Sequence, residues 1–240
     1  MPDISLVADL PDELLRVHWQ PDVLKRPPYD LDPEAMSRFD DPEGRFGVRY
    51  LATHLRGCLV ETMARFRPSP AVESLLAAVQ GVETDDIDPT RETGLLEWLS
   101  AQKVGHCVIS VADPSIVDVD AAESLVALNK HPGVRIALDQ SRLGSSANPA
   151  RLDAGVIRLP GPVGRPITQA VSRAVYEWYD GVHGLRYASR LDGAELCWGL
   201  YDSTPVTFTI ESLRVDEPDH REAVQSVAAL FEIALPEEWQ

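Results

Sequence analysis

Arg38, Tyr50 and Glu61 fall within one short stretch: the run Arg38-Phe-Asp-Asp-Pro-Glu-Gly-Arg-Phe-Gly-Val-Arg-Tyr-Leu-Ala52 and the helix-like segment after it. They supply a permanent cation, an aromatic face and a carboxylate. A guanidinium is planar and carries several N–H donors, so it suits a diphosphate better than an ammonium does. An electron-rich ring stacks on a cationic heterocycle. A carboxylate stabilises the positive charge that develops on a ribose as its glycosidic bond breaks. Side by side, the three groups are what a site needs to hold a dinucleotide and cleave that bond.

The elements that must position them are partly readable. Leu14 to Trp19 reads as a short strand. The stretch from there to Gly47 is dense in Pro, Asp and Gly and reads as a long structured loop, a kind of segment that is usually functional. Val48 to Leu51 is a brief strand, and Thr53 is an expected N-cap for a helix from His54 to about Phe66. Leu55, Leu59, Met63 and Phe66 form that helix's apolar stripe. On local grounds Glu61 lies roughly opposite the stripe, as a solvated residue would. Tyr50 shares a strand face with Val48, as a core residue would, and Arg38 has Asp40, Asp41 and Glu43 for company.

Further along, helices are expected at Ala71 to Gln80, Leu95 to Gln102, Ala121 to Asn129 and Ile167 to Tyr179, with a closing amphipathic helix at Arg221 to Leu235. Strands are expected at His106 to Val111, Ile116 to Val119, Val134 to Leu138, Leu185 to Ala188, Leu196 to Tyr201 and Val206 to Leu213. No Gly-rich phosphate loop of the GxGxxG or Walker type is present. The order of elements therefore favours an α+β domain on mixed, largely antiparallel sheets over a doubly wound nucleotide fold.

Composition narrows the partners. The 240 residues hold 22 Lys plus Arg against 38 Asp plus Glu, a formal charge of -16. A surface that acidic repels nucleic acid and anionic membranes and leaves small molecules or proteins as ligands. Cys58, Cys107 and Cys197 are odd in number, far apart and embedded in apolar sequence, which fits free buried thiols in a reducing cytosol. No close-spaced Cys or His pair suggests a metal site. No apolar run reaches membrane-spanning length and the N-terminus shows no leader pattern, so a cytoplasmic protein is expected.

Taken in order, Arg16-Val-His18, Arg38-Phe-Asp40, Gly47-Val-Arg-Tyr-Leu-Ala52, Glu61, Gly184-Leu-Arg-Tyr-Ala-Ser-Arg190 and Cys197-Trp-Gly-Leu-Tyr201 resemble the RES domain family. The likeness runs from about Leu10 to Asp202. It departs from the family in having Ser37-Arg-Phe-Asp40 where many members have a Gly-Arg-Trp-Asn-like turn. It also has a longer stretch between Glu61 and Ser189, so one domain over 1–240 with a helical insertion at about 68–103 is expected.

The resemblance implies a fold related to ADP-ribosyltransferases and cleavage of the nicotinamide–ribose bond of NAD, by hydrolysis or phosphorolysis. NAD is then a substrate and no cofactor is called for. It also implies, for toxin members, an Xre-type antitoxin partner. The matching positions are Arg16, Arg38, Tyr50, Glu61 and Ser189. In that reading Arg16 and Arg38 hold the diphosphate, Tyr50 stacks on nicotinamide and Glu61 stabilises the oxocarbenium-like state. Ser189 positions the nicotinamide amide or the ribose, and His18 offers a further donor. Arg45, Arg49 and Arg190 compete for the phosphate contacts. Two other readings stand beside this one: mono-ADP-ribosylation of a protein, and a catalytically silent NAD-binding or interaction module. The closing helix, with Val224, Val227, Leu230 and Phe231, serves either an internal contact or a homodimer.

Overall fold

The computed structural model describes residues 4–19, 37–68, 89–145, 148–178 and 181–239. The strands are β1 (Leu14–His18), β2 (Val48–Ala52), β3 (Lys103–Ile109), β4 (Ser115–Asp118), β5 (Val182–Ala188), β6 (Leu196–Tyr201) and β7 (Val206–Ser212). They form one sheet in the order β4-β5-β6-β2-β1-β3-β7. Only β4 and β5 run parallel; every other neighbouring pair is antiparallel. The domain is thus α+β with a mixed, largely antiparallel sheet, as the order of elements predicts.

Around the sheet lie α1 (Leu55–Met63), continued by a 3-10 turn at Ala64–Phe66, and α2 (Pro89–Ala101), α3 (Ala122–Leu128), α4 (Pro132–Gln140), α5 (Ala154–Ile157), α6 (Gly161–Trp178) and α7 (Pro218–Phe231). The alternation of strand side chains divides the core. Cys197 and Tyr201 of β6 join Val48, Leu185 and Tyr187 beneath α3, α4 and α6, while Trp198 and Leu200 of β6 pack on the opposite face with Leu14, Leu51 and Cys107. At the β1–β3 half of the sheet, Val17 and Val104 are covered by α1, α2 and α7.

Two local expectations are corrected. Val134 to Leu138 is not a strand but the middle of α4. Pro132 starts that helix, the His131 Nδ1 accepts from the Gly133 N–H, and Val134, Ala137 and Leu138 form a buried stripe at helical spacing. Val134 and Ile136, two β-branched residues alternating with Arg135, imitate a strand. Nor does Thr53 cap α1: its hydroxyl donates to the Leu196 carbonyl and accepts from Trp198 Nε1 at 2.9 Å, leaving His54 as an N-cap without a side-chain bond. The expected helix at Ala71 to Gln80 lies outside the described residues, so of the expected insertion only α2 is seen. The closing helix starts earlier than expected and stops at Glu232, which takes a left-handed conformation at φ 56°. Its Val224, Val227 and Phe231 are buried within the chain, whereas Leu230 is exposed.

His106 on β3 sits between Glu13, at 3.2 Å from its Nδ1, and Glu211 on β7, at 3.1 Å from its Nε2. Burial pulls the imidazole pKa down, but the hydrogen bonds to Glu211 and Glu13 outweigh it and the net shift is upward. A raised folded-state pKa adds stability that is complete below the unfolded value, about 6.5, and fades as pH rises through the folded value. His106→Gln should therefore be less stable than wild type near pH 6, by up to about 1 kcal/mol, and closer to it near pH 8.5. Chemical denaturation at the two pH values checks this.

Candidate active site

β1 and β2 are registered at a single pair, Leu15 with Ala52, whereas β2 runs alongside β6 for its whole length. Beyond Leu15 the two strands part. A cleft of about 410 Å³ lies there, lined by Arg16 and Val17 of β1 and by Tyr50, Leu51 and Ala52 of β2. Residues of both strand faces line it because the opening runs between the strands, and its volume falls in the range of ligand pockets, roughly 300–1,000 Å³.

The loop before β2 brings in Arg38. Its Nη2 donates to the Ile157 carbonyl at 2.6 Å, and its guanidinium lies 5.2 Å from the ring centres of both Phe39 and Tyr187. Its Nε and Nη1 are buried and have no hydrogen-bond partner among the described residues. Buried donors are seldom left so, and a ligand acceptor in the cleft would satisfy them. The turn carrying Arg38 is held by Tyr50, whose hydroxyl accepts from the Phe39 N–H and donates to Asp40 Oδ1, both at 2.9 Å. Burial, with Asp40 adding to it, pushes the Tyr50 phenol well above its ordinary pKa, so the ring stays neutral and keeps its proton for Asp40.

Asp41 fastens the same loop to α6. Its enclosed carboxylate accepts from Arg45 N–H at 2.8 Å, Arg45 Nε at 3.0 Å and Arg173 Nη2 at 2.6 Å. Burial would raise this carboxyl, but the Arg45 and Arg173 hydrogen bonds hold it below the usual range. Its contribution is therefore present above the unfolded pKa, about 3.9, and lost as pH falls through the folded value. Asp41→Ala leaves Arg173, among the described residues, only its ion pair with the exposed Glu43, at 2.8 Å, and should cost about 2 kcal/mol at neutral pH, shrinking in acid, as urea melts would register.

Glu61 faces the cleft. Its Oε1 accepts from the Ser189 hydroxyl at 2.6 Å across 128 positions of sequence. The surface opposite its apolar stripe is only partly exposed because α1 is packed on several sides: Gly57, Cys58, Leu59, Val60 and Met63 are all buried, and Glu61 and Thr62 open onto the cleft. Ser189 is itself buried at 1 % exposure, and its oxygen accepts from the Leu191 and Asp192 N–H groups at 3.1 and 3.3 Å. With its proton committed to Glu61 and no place in the cleft wall, Ser189 stands behind the carboxylate. Tyr187 and Cys197 also line the cleft. Each is pushed up in pKa chiefly by burial, with Glu61 adding to the rise and Arg38 opposing it. Cys58, also in the wall, is pushed up to about 12 by burial, so the cleft thiols stay protonated and serve as apolar wall.

The cations sort themselves by their neighbours. Arg16 lines the cleft with its pKa lowered by burial and then by Arg49, a repulsion that a bound anion would relieve. Arg49 is occupied by the Tyr201, Asp202 and Thr204 carbonyls, and Arg45 by Asp41 and Glu177. Neither lines the cleft, whereas Arg190 does. His18, at the end of β1 beside Trp19, is not among the lining residues. Arg165, on the first turns of α6, lines the cleft and was not foreseen. Nothing near it in sequence points to the site, because α6 reaches the cleft only through its packing on the sheet.

Fold and cleft together define an α+β domain with a cleft lined by four arginines, Arg16, Arg38, Arg165 and Arg190, and by one buttressed glutamate. In an acidic protein of net charge -16 this cleft concentrates positive charge, which suits an anion. The family model of the RES domain matches residues 13–223, and the chain belongs to that family. Among solved structures it is similar to one described as the M. tuberculosis MbcT–MbcA toxin–antitoxin complex, at 13% identity and a TM-score of 0.38, over 92% of this chain and 88% of that one. No curated protein matches it. Among the described residues no helix is long and apolar enough to cross a membrane, and no group of three acidic, His or Cys side chains is placed to hold a metal.

Proposed function

We propose that this protein cleaves the nicotinamide–ribose bond of NAD. The observation that carries the reading is the Ser189–Glu61 hydrogen bond of 2.6 Å at the wall of an arginine-lined cleft. A carboxylate held in one orientation, with permanent cations around it, suits a substrate whose diphosphate is anionic and whose reacting ribose becomes cationic. Arg16 and Arg38 bind the diphosphate, with Arg38 offering its two unused donors and Arg165 and Arg190 adding to the field. The Tyr50 ring provides a stacking face for nicotinamide. Glu61 stabilises the ribosyl cation and hydrogen-bonds a ribose hydroxyl, and Ser189 acts through Glu61 rather than on the substrate. No step in this scheme needs a metal or a covalent nucleophile.

Membership of the RES family supports a second level of the reading, that the chain is the toxic half of a toxin–antitoxin pair whose partner is an Xre-type protein. Purified protein incubated with NAD should release nicotinamide. Arms with and without inorganic phosphate, and with labelled NAD scored on protein, identify the acceptor. No nicotinamide release in any arm would overturn the reading. Growth arrest on expression, relieved by a small helix-turn-helix neighbour, tests the toxin role.

A further inference from the structure

Arg56 lies in the first turn of α1, ahead of Glu61 on the same helix, and uses each nitrogen on a different group. Nη1 donates to Glu195 Oε1 at 2.6 Å, Nη2 pairs with Asp192 Oδ2 at 2.7 Å, and Nε donates to Ser226 of α7 at 2.8 Å. Glu195 and Asp192 belong to the turn that joins β5 to β6, the same turn that begins with Ser189. That turn is closed by its own bonds: Ser189 N–H to the Glu195 carbonyl at 2.8 Å, Glu195 N–H to the Asp192 carbonyl at 3.0 Å and Ala194 N–H to Asp192 Oδ1 at 3.0 Å. Leu191 and Asp192 N–H point at the Ser189 oxygen. The serine hydroxyl is thus fixed by the turn, and the turn is fixed by Arg56.

The helix makes room for this. A Cβ on Gly57 would stand 2.8 Å from Glu195 Oε2 and 3.0 Å from the Ala52 side chain, so a side chain there would drive Glu195 off the helix. The bare position next to Arg56 lets a buried carboxylate settle against α1. We propose that Arg56 is a positioning residue that sets the Glu61 carboxylate through the Ser189 turn. Lysine cannot replace it, because an ammonium does not present the planar fork that bridges two carboxylates and a hydroxyl. The kinetic part of this inference rests on the NAD-cleavage reading; the structural linkage does not.

The test compares Arg56→Met, Arg56→Lys, Ser189→Ala, the Arg56→Met/Ser189→Ala double variant and Ser226→Ala in NAD turnover, with amide hydrogen exchange over the 189–195 turn. A small displacement of a reacting group costs about tenfold to a hundredfold, so Arg56→Met should lose that much kcat with KM within about twofold. Lysine should recover only part of it. The double variant should be scarcely worse than Ser189→Ala alone, because the two residues act in series. Ser226→Ala, which cuts only the tie to α7, should keep kcat within about twofold. The Leu191 and Asp192 amides should lose protection in Arg56→Met and keep it in Ser226→Ala. An unchanged kcat in folded Arg56→Met, additive losses, or retained protection would each overturn the proposal. If Arg56→Met does not fold, Asp192→Asn and Glu195→Gln loosen the same turn and give the same readings. If wild type does not cleave NAD, the function falls, and the exchange result alone decides the linkage.

Discussion

Glu61→Gln should release nicotinamide about a thousandfold more slowly than wild type, a loss of roughly 4 kcal/mol of transition-state stabilisation. The amide keeps the volume of the carboxylate and can still accept from Ser189, so the wall of the cleft is preserved. What disappears is the charge, which matters only once the ribose becomes cationic. KM should accordingly stay within about threefold, since an interaction made chiefly in the transition state lowers kcat and kcat/KM together. Calorimetry with NAD on the variant, beside its steady-state kinetics, checks both halves. A variant that binds and cleaves as well as wild type would remove Glu61 from the chemistry. One that has lost binding would make it a recognition residue instead.

Arg38→Met should show the opposite division, a large loss of NAD affinity with little loss of stability. Two of its buried donors have no partner among the described residues, so in the unliganded protein this side chain carries a desolvation cost that a ligand would relieve. Removing it forfeits the bond to the Ile157 carbonyl and the contacts with Phe39 and Tyr187, but also removes the unsatisfied donors. The unfolding free energy should move by less than about 1 kcal/mol. The affinity should fall by about tenfold to a hundredfold, the worth of hydrogen bonds to a charged group at roughly 1.5–3 kcal/mol. Arg38→Lys should restore little of it, because an ammonium presents no planar, delocalised face to the neighbouring Phe39 and Tyr187 rings and no donors fixed where the Nε and Nη1 groups stand. Thermal melts and NAD calorimetry on the same preparations would separate the two effects. A variant that unfolds without losing affinity would place Arg38 in the scaffold.

These contrasting expectations depend on features of unequal legibility. The strands at Leu14, Val48, Leu185, Leu196 and Val206 are readable because alternation and β-branched or aromatic content are local properties, and each appears within a few residues of its expected span. Val134 to Leu138 is not readable in the same way, since the five residues Val-Arg-Ile-Ala-Leu are too short for their period to separate strand from helix, and the decisive groups are Pro132 and the His131 ring outside them. Thr53 fails for another reason: the capping rule is local, and the Trp198 indole and the Leu196 carbonyl are not.

By itself the sequence determined the α+β class, the types of group available to a site and their order along the chain. Residue identity and short-range periodicity suffice for those. Only the tertiary structure decided that β1 and β2 part after Leu15 to open a cleft, that Arg165 arrives there on α6, and that Arg45 and Arg49 spend their charge elsewhere. It also turned Glu61 from an apparently solvated helix residue into a carboxylate held by Ser189. Sheet register and helix packing, which no window of sequence contains, closed 128 positions to one hydrogen bond.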